Sequence, residues 1–264
     1  MVAPNVYQSR QTLQFIDRRE HKMLGVIALA TDLTSEQDFA RIIPHDKARF
    51  FTTRVAYQNP STPENMRKME PRLADATDLI LPGIPLDAIC FSCTAASVVI
   101  GDESVERAIH NVRPNVPVVT PTGAARKALT ALEAGRIAIL TPYLVETSEP
   151  MAEYFHRSGF EVTRFECFGI EDDRDMARVT GETIVDAVLR IDSGNVEAFF
   201  VSCTALPSVA VIAEIEARTG KPVVTSNQAS AWSMMRLAGL DTQVNGFGRL
   251  FECGLPAIGM GAVA

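Results

Sequence analysis

Two cysteines stand in matching company. Ser92, Cys93 and Thr94 form a tripeptide that returns as Ser202, Cys203 and Thr204, each copy ending an apolar run. Each is followed by a stretch of helical character and then by a second run with the same core, Pro117 to Thr120 in one case and Pro222 to Thr225 in the other. One buried cysteine in a strand is usually packing. Two at equivalent strand ends, each flanked by serine and threonine, point to function. Opposed thiols suit two chemistries. A thiolate can remove the proton beside a carboxylate while the other thiol returns one to the opposite face, with hydrogen-bond donors holding the enediolate between. Alternatively, one thiolate adds to a double bond, rotation follows, and the adduct collapses.

Other reactive groups offer less. No Gly-x-Gly-x-x-Gly follows the first apolar run and there is no phosphate loop. None of Lys22, Lys47, Lys68, Lys127 and Lys221 falls at a strand's carboxyl end, where a pyridoxal lysine would be needed. His21, His45, His110 and His156 form no metal-spaced pair, and only His45, near a loop after the first strand, is kept as an outside candidate. Cys90 and Cys93 lie three apart on one strand, so their side chains face opposite ways, and a zinc site would need a second ligand pair. Neither cofactor nor metal is expected.

The elements that must position the thiols are apolar runs at 24–30, 50–56, 88–92, 116–120, 137–141, 161–168, 199–202 and 222–225. Between them lie helical spacings such as Met66, Met69, Leu73 and Ala76, or Ile184, Ala187, Val188 and Ile191. Such alternation predicts an α/β fold with parallel sheets covered on both faces. Cys203 follows Cys93 by 110 residues and Thr225 follows Thr120 by 105. The repeat therefore predicts two similar Rossmann-like lobes, each a four-stranded parallel sheet with flanking helices, related by a pseudo-two-fold. The lobes are expected at 1–122 and 123–227, with helix 228–238 and the C-terminal tail packing back and the site in the cleft. Helices at 123–134 and 228–238 should knit the halves together. Ligands bind beyond the carboxyl ends of such strands, where both thiols sit. A helix starting after each cysteine should lower its pKa, with Thr94 and Thr204 adding hydroxyls.

The 264 residues are 47% hydrophobic and 22% charged, with net charge −7, which disfavours nucleic-acid and anionic-membrane partners. No apolar stretch is long enough for a membrane span, and the first twenty residues, with Arg10, Asp17, Arg18, Arg19 and Glu20, lack a secretion signal's apolar segment. A cytoplasmic protein with reduced thiols is expected; five cysteines do not resemble a disulfide framework.

These paired strand-end cysteines resemble the aspartate/glutamate racemase superfamily, which includes amino-acid racemases, maleate cis-trans isomerase and arylmalonate decarboxylase. The resemblance runs from Leu24 to Phe251. The segment with Arg54, Tyr57, Pro60, Pro63, Glu64, Asn65 and Met66, and the ending with Gly246, Arg249 and Phe251, look most like its ectoine-utilisation branch. The resemblance implies that Cys93 and Cys203 are catalytic and that Thr94 and Tyr143 bind substrate carboxylate, although Tyr143 also reads as an interface aromatic. Decarboxylases carry a small residue at the first cysteine position, so Cys93 argues against that chemistry. Maleate isomerases place an asparagine near Asp32. A carboxylate there would attract an ammonium group, although Asp32 equally reads as a cap of the next helix. Arg54 either orients a carboxylate or forms a structural ion pair. Thr225, Ser226 and Asn227 would also line the cleft. The main expectation is a cofactor-independent racemase or epimerase on an amino-acid-like carboxylate, in ectoine catabolism. The alternatives are a maleate-type cis-trans isomerase with covalent Cys93, and a non-catalytic metabolite-binding protein. A homo-oligomer is expected.

Overall fold

The structure is a computed structural model that describes residues 6–17 and 20–256. Arg18 and Arg19, and the chain ends included in the expected lobe boundaries, lie outside the described residues. All eight apolar runs form strands. In the first half they are β1 (Lys22–Leu29), β2 (Ala48–Val55), β3 (Ala88–Ser92) and β4 (Val118–Val119). Between and after them come α1 (Ser35–Ile42), α2 (Pro63–Arg67), α3 (Leu73–Asp78), α4 (Thr94–Ile100), α5 (Asp102–His110) and α6 (Pro121–Ala131). The second half has β5 (Arg136–Thr141), β6 (Glu161–Cys167), β7 (Ala198–Val201) and β8 (Val223–Thr225). Its helices are α7 (Val145–Arg157), α8 (Asp173–Met176), α9 (Gly181–Ile191), α10 (Ile212–Thr219) and α11 (Ser226–Leu237).

Each half builds one all-parallel sheet, in the order β2-β1-β3-β4 and β6-β5-β7-β8. The matching order is the structural form of the sequence repeat. The strands that lead to the two cysteines, β3 and β7, are interior and every residue in them is buried. That burial explains their continuous apolar runs, since a parallel strand covered on both faces has no polar side to show. Among the described residues no helix is long and apolar enough to cross a membrane.

The repeated threonine after each Pro-Val-Val core has a structural use. Thr120 caps α6 by accepting from Gly123 N, and Thr225 caps α11 by accepting from Gln228 N in a capping box. Threonine at that position satisfies helix-end N–H groups left without intrahelical partners. The two helices so started pack on each other between the sheets: α11 leaves β8 and lies against β3 and α1, while α6 leaves β4 and touches β8. α11 is consequently buried over almost its whole length.

The tail returns onto α11. Trp232 Nε1 donates to Cys253 O at 3.0 Å. The buried Arg236 guanidinium donates to the carbonyls of Leu240, Phe251 and Cys253. Gly248 makes the return possible, with φ 80 and ψ 174, a conformation essentially reserved for glycine. A Cβ there would lie 2.7 Å from Ile212 Cγ2 and 2.8 Å from Glu216 Oε1, whereas one at Gly246 (φ 87) would meet nothing within 4 Å. Gly246→Ala should therefore cost only backbone strain, about 1–2 kcal/mol. Gly248→Ala adds overpacking and should cost about 2–5 kcal/mol. Thermal denaturation checks this; equal melting temperatures for the two variants would contradict it.

Candidate active site

Cys93 leaves β3 in extended conformation (φ −150, ψ 109) and stands as the residue before α4. Its carbonyl accepts from Ser97 N and from the Ser97 hydroxyl, which fixes the first turn of α4 over it. The Ala96 N–H hydrogen-bonds its sulfur.

Cys203 is built differently. No helix follows it directly: residues 204–208 form a loop, and a short 3-10 turn, Val209–Val211, precedes α10. Cys203 itself has φ 103, a left-handed conformation costly for any residue with a Cβ. Its N–H donates to Ser226 Oγ at 3.0 Å. The Tyr143 hydroxyl and the N–H groups of Ala205 and Leu206 converge on its sulfur. The expected helix after each thiol thus holds for Cys93 and fails for Cys203, where a strained turn supplies the donors instead.

Hydroxyls tie the two cysteine loops across the lobes. Thr94 Oγ1 donates to Ser226 Oγ at 2.8 Å, so Ser226 accepts from both loops at once. Thr204 Oγ1 donates to Ser92 O at 3.2 Å. Asn227 Nδ2 donates to Thr204 O at 2.9 Å and to Asp38 Oδ2 at 2.8 Å.

The result is one cavity with both thiols in its wall, together with Tyr57, Ser61, Thr94, Tyr143, Asp173, Met176 and Thr204. Its volume is about 20 Å³, room for about one water molecule. Burial in this closed space raises both thiols from an ordinary value near 9: Cys203 is pushed up to about 12, and Cys93 goes higher still. The charges of Cys203 and Asp173 add to the rise at Cys93, and that of Asp173 to the rise at Cys203. Loss of water outweighs the N–H groups aimed at the sulfurs, so the expected lowering of the thiol pKa is reversed in the closed form.

The other expected site residues fall into two groups. Cys93, Cys203, Thr94, Tyr143 and Thr204 come together on the cavity wall. Asp32, Arg54 and Ser226 do not reach it. Asp32 Oδ1 accepts from Thr34 N and Ser35 N and Oδ2 from Ser35 Oγ, so its carboxylate is spent on the start of α1. Arg54 Nη1 donates to Leu29 O and Asp32 O, and Nη2 pairs with Glu36. It therefore takes the structural ion pair of its two expected readings. Ser226 positions both cysteine loops from behind. Thr225 caps α11 rather than lining the cleft. His45 precedes β2, on the sheet edge opposite the carboxyl ends.

Asp173 escaped the sequence reading, as did Tyr57. A usable signal was present: Tyr57 and the acidic run Glu171, Asp172 and Asp173 each follow the carboxyl end of a strand, β2 and β6. Asp173 is only 5% exposed. It accepts from Asn59 Nδ2 at 2.8 Å and from the Thr31 hydroxyl.

A two-lobed α/β enzyme with paired thiols at facing strand ends is the class that this fold and site define. The family model described as arylmalonate decarboxylase matches residues 73–251, and the chain belongs to that family. The maleate isomerase of Nocardia farcinica is 25% identical over 88% of this chain and 96% of its own length. That of Pseudomonas putida is 29% identical over 68% and 75%. A solved structure of the Nocardia farcinica maleate cis-trans isomerase, a mutant with a covalently bound succinylcysteine intermediate, superposes with a TM-score of 0.79 at 24% identity, covering 87% of this chain and 98% of that one. The fold expected from the sequence is thus the fold found.

The raised thiols set a pH dependence. In the ligand-free protein, alkylation of Cys93 and Cys203, followed by mass spectrometry, should be slow at neutral pH and should still be rising through pH 10. A plateau below pH 8 would contradict the burial argument. Tyr143→Phe should slow Cys203 further at each pH and leave Cys93 little changed. Stability carries the same sign. A thiol that holds its proton when folded and loses it near pH 9 when unfolded favours the unfolded chain as pH climbs from about 9 towards 12. Cys90, buried and pushed up to about 12, contributes a share of that alkaline loss that Cys90→Ala should remove from the melting curve.

Proposed function

We propose that the protein is a cofactor-independent cis-trans isomerase of a small cis-alkenoate, with Cys93 as covalent nucleophile and Cys203 as its acid partner. The observation that carries this reading is that two unequal thiols wall one small cavity. A racemase needs thiols that exchange roles as base and acid. Here Cys203 has a tyrosine hydroxyl and two loop N–H groups on its sulfur, while Cys93 has one helix N–H. The maleate isomerases matched along most of the chain support the same choice. The ectoine link expected from the sequence has no counterpart in the names of these relatives and plays no part in the reading.

The geometry divides the work. Each thiolate charge raises the other thiol, so only one proton leaves the pair. With three donors on its sulfur Cys203 is the easier of the two to ionise, and as substrate binds it takes the Cys93 proton, which leaves Cys203 a thiol and Cys93 the thiolate. The Cys93 thiolate attacks one alkene carbon, a C–S bond forms, and the π pair moves onto the neighbouring carbon and its carboxylate. The unpaired N–H groups at the start of α4 are the donors available to the resulting enediolate, joined by the Tyr143 hydroxyl once it turns from the Cys203 sulfur. The former double bond is now single and rotates. The electron pair returns, the C–S bond breaks, and the thiolate is restored with the trans product. Cys203, still a thiol, can lend its proton to the carbanion and take it back. If the proton stays, the product is a saturated thioether adduct on Cys93, the same kind of species as the succinylcysteine in the Nocardia farcinica structure.

Cys93→Ala should lower conversion of cis-alkenoates by about 10³-fold or more and abolish any adduct. Cys203→Ser should keep the adduct at Cys93, visible by intact-protein mass spectrometry, while slowing turnover. Deuteration of a chiral amino acid at its α-carbon in heavy water, with no conversion of any cis-alkenoate, would overturn the reading in favour of racemisation.

A further inference from the structure

The cavity wall has one charged side chain, Asp173, and among its lining residues there is no lysine, arginine or histidine. Its carboxylate is held by two neutral donors, Asn59 Nδ2 and the Thr31 hydroxyl, and a carboxylate has lone pairs for further donors. The nearby cations are committed elsewhere. Arg54 is bound to Leu29 O, Asp32 O and Glu36. Arg174 is clasped to Asp172 on the exposed side. The negative charge of Asp173 therefore faces both sulfurs with no cation hydrogen-bonded to its carboxylate. A substrate with two carboxylates would have to bring one of them against this buried carboxylate, where like charges repel more strongly than in bulk water.

We propose that Asp173 is a specificity-determining residue that accepts a hydrogen bond from a non-anionic, donor-bearing end of the substrate, a primary amide or an ammonium group, and rejects a second carboxylate. The substrate is then a small alkenoate with one carboxylate at the reacting end and a donor at the other. The proposal rests on the isomerase reading for the identity of the reacting end. It also moves to Asp173 the ammonium-binding role that the sequence suggested for Asp32, whose oxygens are already taken by α1.

Saturated analogues separate the two ideas because they bind without reacting. Calorimetry on the full-length wild-type protein should show succinamate or 4-aminobutanoate binding at least 10-fold more tightly than succinate. The better of the two tells amide from ammonium. Asp173→Asn should erase or reverse that order. Succinate binding as well as or better than both in the wild type would overturn the proposal, and so would an order that survives Asp173→Asn. If that variant fails to fold, the wild-type order alone decides. Turnover of maleate and maleamate is measured separately. The expected binding order without any isomerisation would sink the proposed function and leave the assignment of Asp173 standing.

Discussion

Everything at this site follows from burying two thiols in the wall of one small cavity. A lone thiol at a helix start can ionise readily, because N–H groups and a partial positive charge face it. A second thiol and a carboxylate beside it in a closed cavity reverse that balance, and both Cys93 and Cys203 hold their protons more tightly than free cysteine. The cost of ionising one of them becomes the cost of ionising both if the second must follow. Once one proton leaves, the other is held the more tightly, so the pair gives up a single proton. That is the division a nucleophile and an acid require.

The scaffold delivers the pair by repetition and then breaks the repetition at the site. Two sheets of identical strand order place β3 and β7 at equivalent interior positions, so their ends can face one cleft. Helices α6 and α11, started by matched threonine caps, lock the sheets together. At the cysteines the symmetry stops. Cys93 continues smoothly from strand to helix, whereas Cys203 turns through a left-handed backbone conformation held by Ser226. Strain of this kind persists only where surrounding contacts over-determine it. Here those contacts are Ser226, Tyr143 and the 204–208 loop, the features that make the second sulfur's environment unlike the first.

How much of this was legible in the sequence depended on range. All eight strands were readable, because a parallel strand buried on both faces writes itself as an unbroken apolar run. The paired thiols were readable because the repeat marked them. Asp32 and Arg54 misled because residue type and position near a strand end do not say where a side chain's hydrogen bonds go. Asp32 met two N–H groups and a hydroxyl within three residues of itself, an arrangement open to any aspartate before a helix. Asp173 went unread for the opposite reason. It acts through Thr31 and Asn59, more than a hundred residues away, and its four-residue helix has no periodicity to draw attention. The edge rule that singled out the cysteines, applied to β2 and β6 as well as to β3 and β7, would have found both Tyr57 and Asp173.

The same long-range contacts decide how the cavity is reached. A space of about 20 Å³ is smaller than a four-carbon acid, so a substrate of that size requires the wall to move. The loop after β2 and the loop after β6 both contribute to that wall, through Tyr57 and Ser61 in one and Asp173 in the other. They are joined by Asn59 Nδ2 to Asp172 and Asp173, by Ser61 N to Glu171 O at 2.8 Å, and by Asp173 N to Asn59 Oδ1. Parting them would expose Asp173 and the thiols to water together. Opening thus couples access to ionisation: the step that lets substrate in is also the one that lowers the cost of a thiolate, and closure over the substrate removes the water that would otherwise protonate the carbanion from bulk. Asn59 links both events, since the side chain that orients the Asp173 carboxylate is also the bond between the two loops.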